Sequence, residues 1–257
     1  MMKFTDVHSH ILWGVDDGIK TKEEALMSLQ KAMAGGINRI FVTPHVIPGK
    51  TDREDIDKME SRFDELKQAA ANYGIELYKG CELYINRHLG NWIEENLFHF
   101  MGDSRYLLCE FDPRRDVDEL GDAEELLYEL TLKNTVPIIA HAERAFHRKA
   151  DTDRVREWRN MGCVIQVNRS SIVGIHGKEA KANAAKLIRS GLCHLIGSDA
   201  HEAEGQRTPK LQDAYDLILK KYGEETADIL FVRNPQSLID GTEMQSIRAK
   251  EKFGFFK

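Results

Sequence analysis

Short apolar runs alternate with helix-like stretches along nearly all of the 257 residues, and most of the runs end in imidazole or carboxylate side chains. His8 and His10 close the run at 4–7, His45 closes 39–44, Glu82 closes 76–81 and Glu110 closes 106–109. His141 follows 136–140, and Asp199 with His201 follows 193–198. Strand–helix alternation of this kind predicts a mainly parallel sheet. Closing the sheet gathers the strand C-termini into one mouth, where residues distant in sequence converge. The expectation is an α/β fold, a TIM-like barrel of about seven mostly parallel strands, with 164–168 as the sixth. Converging imidazoles and carboxylates read as a polynuclear metal site.

The helices carry their own punctuation. Thr21 with Glu24 three residues on reads as a capping box, Ala25, Leu26, Leu29, Ala32 and Met33 supply an apolar stripe, and Gly35-Gly36 ends the segment. A second, highly charged helix is expected over 54–73, stopped by Gly74, and further helices near 123–133, 153–161, 178–190 and 211–221. Without repeats or Pro/Gly linkers, residues 1–242 read as a single domain, and 243–257 as a basic, Phe-containing tail held loosely.

Composition narrows the class. Hydrophobic content of 42% and charged content of 30% fit a globular protein with a sizeable core. Net charge is −6, with Lys and Arg scattered, so no broad footprint for nucleic acid is expected. No apolar run approaches the roughly 20 residues of a membrane helix, and the polar start lacks a signal-peptide core, so a cytoplasmic location is expected. Cys81, Cys109, Cys163 and Cys193 are widely spaced inside apolar runs and read as buried thiols.

Taken singly, the candidate ligands are weak signals. His8-Ser-His10 places two imidazoles on one face of a strand, and Asp16-Asp17-Gly18 reads alone as a solvated turn with Gly at positive φ. Glu82 and Glu110 are sharper, because each interrupts an apolar segment where an unpaired carboxylate costs several kcal/mol. Salt bridges to arginine could satisfy either one. Divalent ions satisfy the whole set at once. Nine candidates are too many for one ion, and imidazole with carboxylate suits Mn, Fe or Zn rather than a thiolate zinc site.

The segments Asp6-Val-His8-Ser-His10, Val15-Asp-Asp17-Gly18, Thr43-Pro-His45, Gly80-Cys-Glu82-Leu83, Glu110-Phe, Ala140-His141-Ala-Glu143-Arg144 and Ser198-Asp199-Ala-His201 together resemble the polymerase-and-histidinol-phosphatase (PHP) superfamily. The likeness is to its bacterial manganese-dependent protein-tyrosine phosphatase branch of capsular and exopolysaccharide loci, over about residues 3–240. It implies a seven-stranded distorted barrel with three ions, usually Mn2+. His8, His10, Glu82 and Asp199 would hold the first ion, Glu82, Glu110 and His141 the second, and Asp17 (or Asp16), His45 and His201 the third. Arg144 and Arg207 match the family's phosphate-binding arginines, although Gln206 is an extra residue before the latter.

The implied activity is hydrolysis of phosphotyrosine on protein by a metal-activated water, with no covalent intermediate. The leaving phenolate, of free pKa about 10, needs modest protonation, from His201 or from water. The implied partner is the tyrosine-rich tail of a bacterial tyrosine autokinase. A small-molecule phosphatase such as histidinol-phosphate phosphatase, a metal-dependent amidohydrolase and a non-catalytic docking module are the alternatives. Cys-x5-Arg, a thiol-phosphatase spacing, occurs at Cys81…Arg87, Cys109…Arg115 and Cys163…Arg169. The intervening residues are bulky and carboxylates follow two of the thiols, so thiol catalysis is rejected. Nucleotide cradles and serine elbows have no matching sequence.

Overall fold

The computed structural model describes residues 3–90, 95 and 97–248. Most of the tail, residues 249–257, lies outside the described residues. The first strand, β1 (Phe4–Ser9), leads into α1 (Lys22–Ala34), β2 (Ile37–Val42), β3 (His45–Val46) and α2 (Arg53–Ala70). Then come β4 (Glu76–Lys79), β5 (Glu82–Tyr84), β6 (Tyr106–Glu110), α3 (Ala123–Leu132), β7 (Val136–Ile139), α4 (Thr152–Asn160) and β8 (Val164–Asn168). The chain continues through α5 (Arg169–Val173), α6 (Gly177–Arg189), β9 (Leu195–Gly197), α7 (Gln212–Tyr222), α8 (Glu224–Asp228) and α9 (Asn234–Asp240). Among the described residues every strand pairing is parallel.

The strands form a three-stranded sheet, β1-β2-β4, and a six-stranded sheet, β3-β5-β6-β7-β8-β9, that curves as a half-barrel. Two expected strands are broken in the middle. Thr43-Pro44 separates β2 from β3, as a proline without an N–H interrupts a ladder, and Gly80-Cys81 separates β4 from β5. His45 and Glu82 therefore open short strands instead of closing long ones, and they pair with each other. At the other edge, Asp199 N donates to His8 O (2.8 Å) and His10 N to Ala200 O (2.8 Å), which joins the end of β9 to the end of β1.

Alternation along the strands separates two cores. Val7, Phe41, Leu108, Ile138, Val164 and Leu195 share the smaller one, joined by Leu238 and Met244. Their neighbours Ile40, Leu107, Ile139, Ile165 and Ile196 face the larger core beneath the helices, where Phe4 meets Tyr215 and Phe231. Glu110 and Gln166 lie two residues beyond Leu108 and Val164, so they sit on the same face as the smaller core. The polar site is stacked on an apolar floor.

The helix ends follow their signals. Thr21 Oγ1 accepts from Glu24 N, while Glu24 reaches Lys20 N, one residue short of a reciprocal box. Asp52 and Asp55 make a full capping box on α2, and Gly74 turns left-handed at φ 63° after the last turn. The described part of the tail is held firmly. Asn234 bonds both Gln245 N (2.8 Å) and Gln245 O (2.9 Å), and Met244 and Ile247 are buried.

Candidate metal centre

The nine predicted ligands converge: His8, His10, Glu110, His141, Asp199 and His201 lie at or just past strand C-terminal ends, His45 and Glu82 open β3 and β5, and Asp17 lies on the loop after β1. His8 Nε2 lies 3.0 Å from His10 Nε2 and 3.2 Å from Glu82 Oε2, and His10 Nε2 lies 3.1 Å from the same oxygen. His45 Nδ1 is 3.2 Å from Glu82 Oε2 and 3.1 Å from Glu110 Oε1. His141 Nε2 is 3.0 Å from Glu82 Oε1 and 3.6 Å from Glu110 Oε2. Asp17 Oδ1 stands 3.3 Å from both His45 Nε2 and His201 Nε2, and Asp199 Oδ1 is 3.3 Å from His201 Nδ1. Three overlapping donor groups result: His8, His10 and Glu82; His45, Glu82 and Glu110; and His10, Asp17, His45 and His201.

Backbone geometry explains how these side chains are aimed. His141 (φ 33°) and Asp199 (φ 54°) adopt left-handed conformations that non-glycine residues rarely take. Each lies just past a strand end, where such strain collects at functional positions. Gly18 is needed for space, not for the positive φ of the turn reading. A Cβ there would lie 2.3 Å from His10 O, and one on Gly197 would lie 2.7 Å from His8 Cβ.

Neighbouring polar groups fix the ring tautomers. His8 Nδ1 faces Gln166 Oε1 at 3.2 Å, an oxygen that also accepts from His141 N, and His10 Nδ1 faces Asp16 Oδ2 at 2.8 Å. Each Nδ1 therefore donates, which leaves the Nε2 lone pairs of His8 and His10 pointing at one another and at Glu82. Protonating both rings would aim two N–H groups at each other across 3.0 Å. A divalent cation satisfies all three atoms, so the residues present fit a metal. Asp16 serves as the backing carboxylate of His10, while Asp17 faces the donors directly.

Electrostatics agree. Burial works against charge on His45, yet Glu82, Asp17 and Glu110 outweigh it and push the imidazole up to about 12. Burial likewise opposes ionising Glu82, but the surrounding imidazoles hold its carboxyl well below the usual range. His201 moves the other way, lowered by burial and by His10. The buried carboxylates demand positive charge.

Two arginines sit at the rim. Arg207 Nη2 lies 2.9 Å from both Asp199 oxygens and 3.2 Å from His201 Nε2, and Arg144 Nη1 lies 3.6 Å from Asp199 Oδ2. Residues unnoticed in the sequence complete the support. Gln166 Nε2 donates to Asn168 Oδ1, and Asn168 Nδ2 donates to Asp199 Oδ2 at 2.7 Å. Their only sequence signal is period two on β8. His176, pushed down to about 4 by burial and then by Arg144, also borders the site. The cysteines are inert by environment: burial raises Cys81 and Cys163 to about 12 and Cys109 and Cys193 well above their usual value.

Five imidazoles and four carboxylates gathered on one parallel α/β scaffold make a candidate metal centre. The chain belongs to the CpsB/CapC family of capsular polysaccharide synthesis, whose match covers residues 4–240. It is 32% identical over 241 residues to tyrosine-protein phosphatase CpsB of Streptococcus pneumoniae, covering 91% of this chain and 97% of that protein. It is 34% identical over 227 residues to putative tyrosine-protein phosphatase CapC of Staphylococcus aureus, covering 88% of each. Among solved structures, one described with YwqE of Bacillus subtilis and CpsB of S. pneumoniae as metal-dependent tyrosine phosphatases superposes with a TM-score of 0.79. That match is 26% identical and covers 96% of this chain and 99% of the other.

Proposed function

We propose that this chain is a metal-dependent phosphomonoesterase that hydrolyses phosphotyrosine on protein. The observation that carries the reading is Arg144 and Arg207 meeting at Asp199, on the rim of a donor cluster they cannot themselves extend as ligands. Guanidinium groups so placed suit the outer oxygens of a phosphate. Bound divalent ions would supply Lewis acidity and an activated water. We assign His8, His10, Glu82 and Asp199 to a first ion, Glu82, Glu110 and His141 to a second, and Asp17, His45 and His201 to a third. Manganese is the metal we favour, on the donor set and the likeness to the PHP superfamily.

The chain's own groups do the rest. Arg144 and Arg207 orient and neutralise the phosphate. Because His201 Nδ1 faces Asp199 O and its Nε2 faces the Arg207 guanidinium, His201 offers a lone pair and not a proton, and we assign protonation of the departing phenolate to water. A groove of about 700 Å³ beside His45, with Ile47, Pro48, Tyr84 and Pro113 in its wall, offers room for an aromatic ring on a peptide. We count the strands as one seven-stranded barrel. The register of β3 with β5 and the hydrogen bonds between the ends of β1 and β9 support this count. We take residues 1–242 as the catalytic domain, acting in the cytoplasm on the tyrosine-rich tail of a bacterial tyrosine autokinase in capsule or exopolysaccharide synthesis.

The test compares kcat/KM on a phosphotyrosine peptide and on histidinol phosphate, with Mn2+ present. A preference for the peptide of about tenfold or more is expected. The reverse preference would make the chain a small-molecule phosphatase.

A further inference from the structure

One face beside the mouth departs from the rest of the surface. Several surface cations elsewhere sit in ion pairs: Arg154 with Asp118 and Glu124, Arg233 with Asp228 and Glu225, Lys31 with Glu204. A shallow cleft of about 640 Å³ gathers Arg148, Lys149, Lys178, Lys186 and Arg189 around a single carboxylate, Glu179. Arg148, Lys149 and Lys178 are exposed, and among the described residues none of the three has an ion pair. Unpaired like charges held together cost free energy unless an anion occupies the space between them.

The cleft is built, not incidental. Asn183, buried on α6, accepts from Ala150 N at 2.7 Å, and its Nδ2 donates to Glu143 O, Phe146 O and Arg148 O at 3.1, 3.2 and 2.8 Å. Lys186 Nζ adds a bond to Ala150 O at 2.6 Å. These bonds clamp the loop at 143–150 to α6. The same loop carries Arg144 into the metal centre and Arg148 and Lys149 into the cleft. On the other wall, α6 begins directly after His176, which feels the charges of Arg144, Asp199 and Arg207. The cationic face is therefore continuous with the mouth.

We propose that this cleft binds an acidic segment of the phosphoprotein substrate, flanking the phosphotyrosine held at the metal centre. The inference rests on the phosphatase reading and adds a determinant of substrate choice. Lys178 and Arg189 lie 11 helical steps apart, about 16 Å at about 1.5 Å each, which about five residues of extended peptide cover. Acidic side chains within a few residues of the phosphotyrosine would reach it. Charge attraction at an exposed site acts on encounter and binding, and salt screens it.

The experiment uses the full chain with Mn2+ and two phosphotyrosine peptides, one bearing four Glu on a flank and the other four Gln. The variant is R148E/K149E/K178E, which touches no residue assigned to the metal centre. The wild type should favour the acidic peptide, with an advantage that shrinks as salt rises. The variant should lose about tenfold in kcat/KM on that peptide through KM, while kcat, the Gln peptide and p-nitrophenyl phosphate stay within about twofold. Equal rates of the wild type on the two peptides, or an equal loss on both in the variant, would overturn the proposal.

Failure of the phosphatase reading itself would appear differently, as no turnover of any phosphotyrosine substrate. In that event, fluorescence anisotropy of a labelled, unphosphorylated Glu-rich peptide decides. Binding lost in the variant sustains the acidic-peptide cleft; no binding to the wild type ends it. Tenfold tighter binding of a single-stranded oligonucleotide than of the peptide would also end it, in favour of a nucleic-acid surface.

Discussion

Glu82 is the residue on which the centre turns. Its Oε2 lies within 3.2 Å of His8, His10 and His45, and its Oε1 lies 3.0 Å from His141. One carboxylate thus faces donors we assign to all three ions. Glu82→Ala should lower metal content and cost more than about a hundredfold in kcat, since even supporting groups around metals cost 10–100-fold. Elemental analysis beside steady-state kinetics checks this; full metal content with near-wild-type kcat would remove Glu82 from the assignment. Arg144 makes the contrasting case, because it cannot ligate a cation. Arg144→Ala should keep the metals and lose about ten- to a hundredfold in kcat/KM, the worth of a charge-assisted bond of roughly 1.5–3 kcal/mol. Arg144→Lys should recover little, as an ammonium cannot reproduce the planar fork. Loss of metal in the alanine variant would instead make Arg144 part of the scaffold.

Among the elements, the strands that bring the ligands together were legible from their apolar runs, but their interruptions were not. His45 and Glu82 read as strand ends because Thr43-Pro44 and Gly80-Cys81 look like the tails of longer runs. Only pairing across the sheet shows them opening new strands. The left-handed His141 and Asp199 were invisible for a related reason: nothing in a histidine or aspartate announces a conformation imposed by its surroundings. Helices of five to seven residues such as α5, α8 and α9 are too short for periodicity to declare them. The β8–β9 pair carries a further hidden device. Ile165 N donates to the buried Nδ1 of His194 at 3.1 Å, and burial followed by Arg159 pushes that imidazole from 6.5 down to about 3. The folded protein thus binds fewer protons here than the unfolded chain. Its stability contribution is complete above pH 6.5 and falls as pH drops from there toward 3, by up to about 1.4 kcal/mol per pH unit. His194→Gln supplies an acceptor that does not titrate. Its stability should fall less steeply than that of the wild type between pH 7 and 5 in urea titrations. Identical slopes would show that His194 is not the proton acceptor.

At the scale of the molecule, order of elements was the most readable property and chemistry came next. Alternation foretold the parallel sheets, and polar residues breaking apolar runs foretold the cluster, because burying charge is costly enough to leave a mark in sequence. The tail was read less well: Met244 and Ile247 are too few to form a pattern, yet they are buried. The cysteines test the whole scheme against its main chemical rival. Three Cys-x5-Arg spacings occur, but all four thiols are buried, and burial raises each above its ordinary value, where thiolate is scarce at neutral pH. The donors, by contrast, come from β1, β3, β5 and β6 and from segments following β7 and β9, so ions held there tie distant parts of the chain together. Binding to the folded form alone adds stability by mass action, about 2.7 kcal/mol at a hundredfold excess over Kd. Chelation should therefore abolish phosphatase activity and also lower Tm by several degrees, roughly 2–4 °C per kcal/mol for a chain of this size. Mn2+ should restore both. Iodoacetamide under native conditions should change neither. If chelator leaves rate and Tm untouched while alkylation of Cys81 removes activity, catalysis belongs to the thiol, and the donor cluster is a set of structural ion pairs.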